Sequence, residues 1–259
     1  LVVGDQPGFP DHRIAQCAAQ PQLLAGVATR AKAAKPGPLG AVTLAPCVPD
    51  PGKIICLGVN YVDHAKEGGN SVADYPTLFL RCSTSLLAHG APLRLPNISD
   101  KLDFEAELAV ITGDVPMQAK PDQALDSVRL VMLANDVSLR RLIPGELAKN
   151  FGFLQGKPAT AFSPVAVTPD ELGSAWQHGR LHLTMRVDWN DKRVGMCDAG
   201  PEMTFHFGQL IAHLAKTRNV RAGSIIGSGT VSNKAVEVDG RKDWPKGYSC
   251  LAEKRAIET

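Results

Sequence analysis

The sequence predicts an α+β chain, mostly β, with a small N-terminal region ahead of one larger domain. Three observations carry this. Short apolar or alternating runs recur at 53–58, 77–81, 102–111, 130–134, 181–196 and 224–232, bounded by Gly, Pro, Asn or Asp. Only two stretches, 14–32 and 207–216, hold a longer helical pattern. Pro36, Pro38, Pro46, Pro49 and Pro51 break the chain just before the first strand. The chain therefore divides into an N-terminal region and linker (1–50) and a main domain (51–259), and 259 residues are enough for that arrangement.

Composition narrows the class. A hydrophobic fraction of 44% with 21% charged residues is that of a globular protein able to bury a core. A net charge of +2, with no basic tract, argues against nucleic acid or an anionic membrane as partner. No apolar run approaches the length of a membrane-spanning helix. The opening Leu1-Val2-Val3-Gly4-Asp5 lacks the basic region and apolar core of a signal peptide, and the missing initiator Met leaves room for residues upstream. Cys17, Cys47, Cys56, Cys82, Cys197 and Cys250 show no CxxC spacing and read as free thiols in a reducing compartment, so a cytoplasmic protein is expected.

In order along the chain, Lys53 to Gly58 is a short buried strand. Tyr61 to Glu67 fits a short helix closed by Gly68 and Gly69. His64 and Glu67 would share its face, and a carboxylate beside an imidazole fixes the tautomer and raises the basicity a water-activating base needs. A surface His–Glu pair fits the same spacing. Thr77 to Arg81 is another strand. Leu102 to Ile111 is the most informative run: Phe104, Ala106, Leu108 and Val110 fall on one side, Glu105 and Glu107 on the other. Two carboxylates on one strand face imply either water or a bound cation. The next apolar run, Leu130 to Ala134, ends in Asn135-Asp136 and offers a third carboxylate, giving an oxygen-rich set that suits Mg²⁺ or Mn²⁺ better than zinc.

Val137 to Ile143 fits the start of a helix interrupted at Pro144. Arg140 there would lie near such a cation and grip a carboxylate in bidentate fashion, or pair with a neighbouring acid. Lys157, beside Gly156, either points a cation into a pocket or decorates a surface turn. Residues 181–196 read as a hairpin around Asn190-Asp191. Phe207 to Lys216 is an amphipathic helix. Ser224 to Ser232 is a buried strand turning through Gly227-Ser228-Gly229-Thr230, whose backbone N–H groups and hydroxyl suit an anion. It lacks the lysine of a P-loop, and no G-x-G-x-x-G occurs, so nucleotide binding has no support. Residues 234–247 read as a loop, and Tyr248 to Ile257 as a strand carrying Glu253. There are no internal repeats.

Together these pieces resemble the fumarylacetoacetate hydrolase family. The resemblance rests on Gly58-Val59-Asn60-Tyr61-x-x-His64-x-x-Glu67, Asp103-Phe104-Glu105-x-Glu107, Asn135-Asp136-Val137-Ser138-x-Arg140, Lys157, and Gly227-Ser228-Gly229-Thr230, in matching order over roughly 50–255. From Asp103 on, Leu142-Ile143-Pro144-Gly145-Glu146-Leu147 and Phe162 to Val167 look like the bacterial fumarylacetoacetase branch. Lys53 to Leu80 looks more like the acylpyruvase and isomerase branch.

The resemblance implies a mixed β-sandwich roll of the fumarylacetoacetase C-terminal type, usually dimeric. It implies Mg²⁺, with Mn²⁺ or Ca²⁺ as substitutes, on Glu105, Glu107 and Asp136. It implies His64 as activator of water, with Glu67 or Glu253 as its partner, and Lys157 as stabiliser of the oxyanion. Tyr61, Arg140, Gly229 and Thr230 would hold the substrate. The implied reaction is C–C hydrolysis of a 2,4-dioxo acid such as an acylpyruvate or fumarylacetoacetate. The alternative is isomerisation, tautomerisation or decarboxylation of a 2-oxo acid, of the oxaloacetate or 2-hydroxyhepta-2,4-diene-1,7-dioate type. Two departures stand out: Ile143 occupies a place where many members have Gln, and the chain stops at Thr259, short of a usual final strand pair, so more chain is expected beyond it.

Overall fold

The computed structural model describes residues 18–41, 43–62, 74–95, 97–150, 152–233, 235–239 and 241–258. The strands, in chain order, are β1 (Ile54–Leu57), β2 (Leu78–Arg81), β3 (Leu86–Leu87), β4 (Leu102–Asp103), β5 (Ala106–Thr112), β6 (Val128–Asn135), β7 (Ser138–Leu139) and β8 (Thr160–Phe162). Then come β9 (Trp176–Gln177), β10 (Arg180–Leu181), β11 (Thr184–Trp189), β12 (Lys192–Asp198), β13 (Ile225–Gly227), β14 (Val236–Val238) and β15 (Arg241–Asp243). Seven of them form one mixed sheet in the order β2-β1-β13-β5-β6-β8-β3. Its centre is antiparallel, Ile226 facing Val110 and Val110 facing Val131, while β1 runs parallel to β13. The fold is thus α+β and mostly β, with few helices, as the sequence predicts.

Both faces of this sheet are covered. One face sets Leu57, Leu108, Val110, Val131 and Ile226 against Met185, Val187 and Cys197 of the β11–β12 hairpin and against Phe207, Leu210 and Ile211 of the helix Phe207–Leu214. The other sets Ile54, Cys56, Ala109, Ile111, Leu130, Met132 and Ile225 around Phe79. Central strands buried on both sides read as continuous apolar runs, which is why β1 and β5 show so little polar alternation. The predicted facing holds for Leu108 and Val110. Glu107, with Ala109 and Ile111, belongs to the opposite face, and that face is covered by protein and not by water. Glu107 is 0% exposed and Glu105 5%, so a solvated strand face is ruled out.

Several elements differ from the sequence expectation. The run 102–111 is two strands, because the ladder is interrupted at Phe104 and Glu105: β4 pairs with β7 in the same register in which β5 pairs with β6. The segment after Asp136 opens as β7 and not as a helix, since Ser138 and Leu139 pair with Asp103 and Leu102. The helix follows at Ile143–Leu147, with Pro144 in its first turn, where its missing N–H costs nothing. Residues 236–243 form the β14–β15 hairpin inside the expected loop. The last segment is a helix, Leu251–Glu258, in place of the expected strand. Its composition favours helix, and its start is secured from outside: the Asp103 carboxylate accepts the N–H groups of Leu251 (2.6 Å) and Ala252 (3.1 Å), and Glu253 accepts that of Ser249 (2.7 Å). In the N-terminal region the helix Pro21–Ala33 lies within the expected 14–32 pattern and one residue beyond it. The expected helix at 61–67 lies, from residue 63 on, outside the described residues.

The chain reaches that last helix along the edge of the β11–β12 hairpin. Met196 donates to Lys246 O (2.7 Å), Tyr248 donates to Val194 O (3.0 Å), and Gly195 faces Gly247. Gly247 has φ +70°, and a Cβ there would collide with the Val194 carbonyl; Gly90 has a similar φ of +75° but open space around it. Gly90→Ala therefore measures backbone strain alone, about 1 kcal/mol, whereas Gly247→Ala adds a backbone clash and is expected to cost about 2–3 kcal/mol. Urea denaturation of the two variants checks the difference, and equal losses would mean that the hairpin edge is not held this closely.

Candidate functional site

The interruption of the ladder at Phe104 and Glu105, opposite the end of β6, brings distant residues together. The Glu105 N–H donates to the Asn135 side chain (3.2 Å) and the Asp136 N–H to Glu105 O (3.0 Å), so the two acids are locked side by side. Glu107 projects from β5 beside β13, where its Oε2 accepts the Gly229 N–H (3.2 Å). Gly229 needs its φ of +82°, and Gly227 leaves room for the carboxylate, since a Cβ there would lie 2.8 Å from Glu107 Oε2.

Three cations face these acids. The Lys157 ammonium contacts Asp136 Oδ2 (2.7 Å), Ser138 Oγ (2.7 Å) and Glu105 Oε2 (3.0 Å), which uses all three of its donors. Arg140 binds Asp103 Oδ2 through Nε (2.8 Å) and Glu105 Oε1 through Nη2 (2.7 Å). Arg81, at the end of β2, meets Asp136 Oδ1 at 2.8 Å and donates to Pro158 O. The Arg140 side chain is 25% exposed, against 5% for Lys157 and 2% for Arg81, so Arg140 is the most exposed of the three.

The titration behaviour follows from this charge map. Burial alone would raise the Glu105 carboxyl, but Lys157 and Arg140 hold it down at about 2. Burial, then Asp136 and Glu105, push Glu107 well above the usual carboxylate range. Burial also raises Asp136, against the pull of Lys157 and Arg81. Glu107, Asp136 and the Cys56 thiol bring ligand atoms within 4.8 Å of one another. Two unit negative charges that close repel by roughly 3 kcal/mol at an effective dielectric of about 20, enough to keep a proton on one of them.

The residues fit a divalent cation. Glu107 Oε1 is buried without a hydrogen-bond partner among the described residues, and Asp136 Oδ1 has only the Arg81 ion pair. Buried, under-coordinated carboxylate oxygens of this kind are what a hard cation satisfies. Cys56 is less suited to one, because burial and the neighbouring acids keep it protonated.

Of the residues singled out in the sequence, the structure gathers Glu105, Glu107, Asp136, Arg140 and Lys157 into one cluster, with the Gly229 N–H on Glu107. Glu105 is turned toward Lys157, Arg140 and Ser138, and the tight group of three is completed by Cys56 in its place. Thr230 is buried just after Gly229. The Tyr61 hydroxyl is engaged in the core, donating to Ala199 O (2.7 Å). Glu253 is buried at the start of the last helix. His64 and Glu67 lie outside the described residues. Arg81, Asp103, Ser138 and Cys56 were not singled out. Arg81 had a signal, a charge closing an apolar strand. Asp103 and Ser138 sit inside the quoted motifs, where only tertiary pairing reveals their partners.

The model of the fumarylacetoacetate (FAA) hydrolase C-terminal domain matches residues 53–254. The chain belongs to the fumarylacetoacetate hydrolase family. Among curated family relatives, a Burkholderia ambifaria protein with a provisional hydrolase name is 32% identical over 241 residues, covering 87% of this chain and 82% of that protein. The mitochondrial oxaloacetate tautomerase FAHD1 of Arabidopsis thaliana is 29% identical over 179 residues, covering 69% and 78%. Among solved structures, a Mycobacterium smegmatis protein provisionally named HpcE superposes with a TM-score of 0.68 at 26% identity, covering 86% of this chain and 77% of that one.

Because Glu107 and Asp136 are held above their ordinary values, a proton competes for the oxygens a cation would use. Mn²⁺ or Mg²⁺ affinity is therefore expected to weaken as pH falls, starting above the ordinary carboxylate range because both acids are raised, with protons released on binding. Titration calorimetry in buffers of different ionisation enthalpy reads both. Glu107→Gln removes an anionic cation ligand, so it is expected to abolish cation binding, and to raise the stability of the cation-free protein at pH values high enough to ionise Glu107 but not where that acid is already protonated. A cation affinity independent of pH, or a Glu107→Gln destabilised at those high pH values, would contradict this charge map.

Proposed function

We propose that the protein is a divalent-cation-dependent hydrolase that cleaves a C–C bond in a 2,4-dioxo acid of the acylpyruvate or fumarylacetoacetate type. The observation that carries it is the buried carboxylate pair Glu107–Asp136, with an unsatisfied oxygen on Glu107 and the Lys157 ammonium alongside. Glu105, Glu107 and Asp136 would hold the cation, Mg²⁺ in this reading with Mn²⁺ or Ca²⁺ as substitutes, and when bound it supplies Lewis-acid polarisation of a 2-oxo acid.

The chain's own residues account for the rest. Arg140, the most exposed of the three cations, receives the substrate carboxylate. His64, with Glu67 or Glu253 as partner, takes a proton from water, which adds to the 4-carbonyl carbon. Lys157, whose three donors rest on Glu105, Asp136 and Ser138 in the cation-free protein, would have one released when those carboxylates turn to the cation. That donor would stabilise the negative charge on the carbonyl oxygen, a contribution of about 3–4 kcal/mol for a well-placed donor. As the carbonyl re-forms in an acylpyruvate, the bond between C3 and C4 breaks and its electron pair goes to C3, which takes a proton back to give pyruvate and a carboxylic acid; fumarylacetoacetate would break the corresponding bond to give acetoacetate and fumarate. Thr230 and the Gly229 backbone complete the substrate contacts in this reading; Tyr61 drops out of the set, its hydroxyl being spent on Ala199 O in the core.

A second reading, tautomerisation of oxaloacetate or a related isomerisation or decarboxylation, is favoured by the likeness to the Arabidopsis tautomerase. It needs only a proton shuttle beside the same acids. The proposal carries with it a cytoplasmic homodimer, for which exposed Leu80, Leu133, Val165 and Val167 supply apolar surface.

The test is the loss of acetylpyruvate absorbance with Mg²⁺ and with EDTA, with pyruvate assayed separately. Metal-dependent loss with stoichiometric pyruvate is expected, falling at least 100-fold (order of magnitude) in His64→Ala. Absorbance change without pyruvate would move the assignment to tautomerisation. Unchanged activity and cation affinity in Glu105→Gln would end the metal-centred reading.

A further inference from the structure

Lys157 lies on neither helix nor strand, yet its ammonium must meet three acceptors at once. Something else must fix its backbone. The largest set of bonds to the turn ahead of it converges on one side chain. Glu146 Oε1 accepts the N–H groups of Leu154 (2.8 Å) and Gln155 (2.7 Å), and Oε2 accepts that of Gly156 (2.9 Å). On the other side, Gly156 O accepts the Leu139 N–H (2.8 Å), from the residue between Ser138 and Arg140. Pro158 O accepts from Arg81. Residue 156 has to be glycine, because a Cβ would stand 2.7 Å from Glu146 Oε2 and 2.9 Å from Ile143 Cγ1. Phe153 packs edge-on against Phe79 at 5.1 Å, and the Lys157 ammonium lies over that same ring.

We propose that Glu146 is a positioning residue for Lys157. Its carboxylate clamps three consecutive amides and so aims the lysine at Glu105, Asp136 and the substrate. This rests on the role given to Lys157 under Proposed function. Three successive N–H groups form an anion-binding cup, and here the chain fills it with its own side chain. A carboxylate is acceptor-only and serves all three donors. A glutamine would turn an NH₂ toward one of them. The short helix Ile143–Leu147 that carries Glu146 follows directly on Arg140, so the clamp ties the lysine turn to the segment bearing the arginine.

The experiment compares wild type, Glu146→Ala, Glu146→Gln, Lys157→Met and Glu146→Ala/Lys157→Met, using acetylpyruvate with Mg²⁺ and amide hydrogen exchange. Glu146→Ala is expected to lower kcat on the order of tenfold, with KM changed less than about twofold. The double variant is expected to be no slower than Lys157→Met alone, since a residue acting through Lys157 has nothing left to position. Exchange at residues 154–156 is expected to quicken in both Glu146 variants while global melting stays cooperative. Wild-type kcat in Glu146→Ala, additive losses in the double variant, or unchanged exchange at 154–156 would overturn the proposal. A wild type inactive on every 2-oxo acid tried would instead sink the functional reading, and the exchange measurement would still decide the clamp.

Discussion

The charge balance of the interior turns on one ammonium group, that of Lys157. Burying an ion costs several kcal/mol, which is regained only when its hydrogen-bonding capacity is filled. Lys157 meets that condition, with three donors on Glu105, Asp136 and Ser138. Four carboxylates, Asp103, Glu105, Glu107 and Asp136, face three cations, Lys157, Arg81 and Arg140. The cations sit on Asp103, Glu105 and Asp136. Among the described residues none touches Glu107, which is the most enclosed of the four acids together with Asp136. The deficit of positive charge is thus localised on one carboxylate, and it leaves burial, with the neighbouring Asp136 and Glu105, largely unopposed in raising the Glu107 pKa. A structure selected only for stability would replace Glu107 with an apolar residue. Keeping it concentrates unfavourable electrostatics where a cation can relieve them.

The sheet explains how such a group can be buried at all. With apolar clusters on both faces, β5 offers no solvated side, and any charged residue on it must find its partner inside the protein. Glu107 finds the Gly229 amide, because β13 runs beside β5 and then turns at a residue free to adopt positive φ. Glu105 stays opposite Asp136, because β4–β7 continues the β5–β6 pairing in the same register beyond a short interruption at Phe104 and Glu105. Its carboxylate meets Lys157 and Arg140, while that of Glu107 lies with Cys56 and Asp136. The geometry of the site therefore follows from one antiparallel pairing, which sets the acids of both segments side by side.

Much of this was legible in the sequence, and the misses have a common cause. The central strands, the β11–β12 hairpin and the helix Phe207–Leu214 follow from local apolar patterns that packing reinforces. Glu105, Glu107 and Asp136 were identifiable as an acidic set from strand alternation and the end of the next apolar run, with Arg140 near them, while Lys157 joined them only through the family resemblance. The elements misread are those whose state is set by distant partners. Ser138 and Leu139 are a strand only because Leu102 and Asp103 lie opposite them. The last segment is a helix whose first amides are held by Asp103, 148 and 149 residues away in sequence. Arg81 looked like the polar end of a strand, and nothing near it in sequence announces Asp136. Reading the run 102–111 as one strand gave the correct facing of Phe104, Ala106, Leu108 and Val110 but missed the interruption of the ladder beside Glu105.

Asp103 shows why the site and the chain's last helix cannot vary independently. Its Oδ1 accepts the Leu251 N–H, and its Oδ2 accepts both the Ala252 N–H and Arg140 Nε. One carboxylate thus completes the helix start that carries Glu253 and holds the guanidinium that contacts Glu105. Negative charge at a helix N-terminus is favourable on its own, and the arginine adds a second favourable partner, so each contact lowers the cost of burying the acid for the other. Removing the carboxylate would release both, leaving the helix amides uncapped and Arg140 with Glu105 alone. The same economy appears in Glu146, which uses both oxygens on three amides. In both cases an acid outside the tight carboxylate group fixes the position of a cation within it, and those cations in turn make the buried carboxylates tolerable.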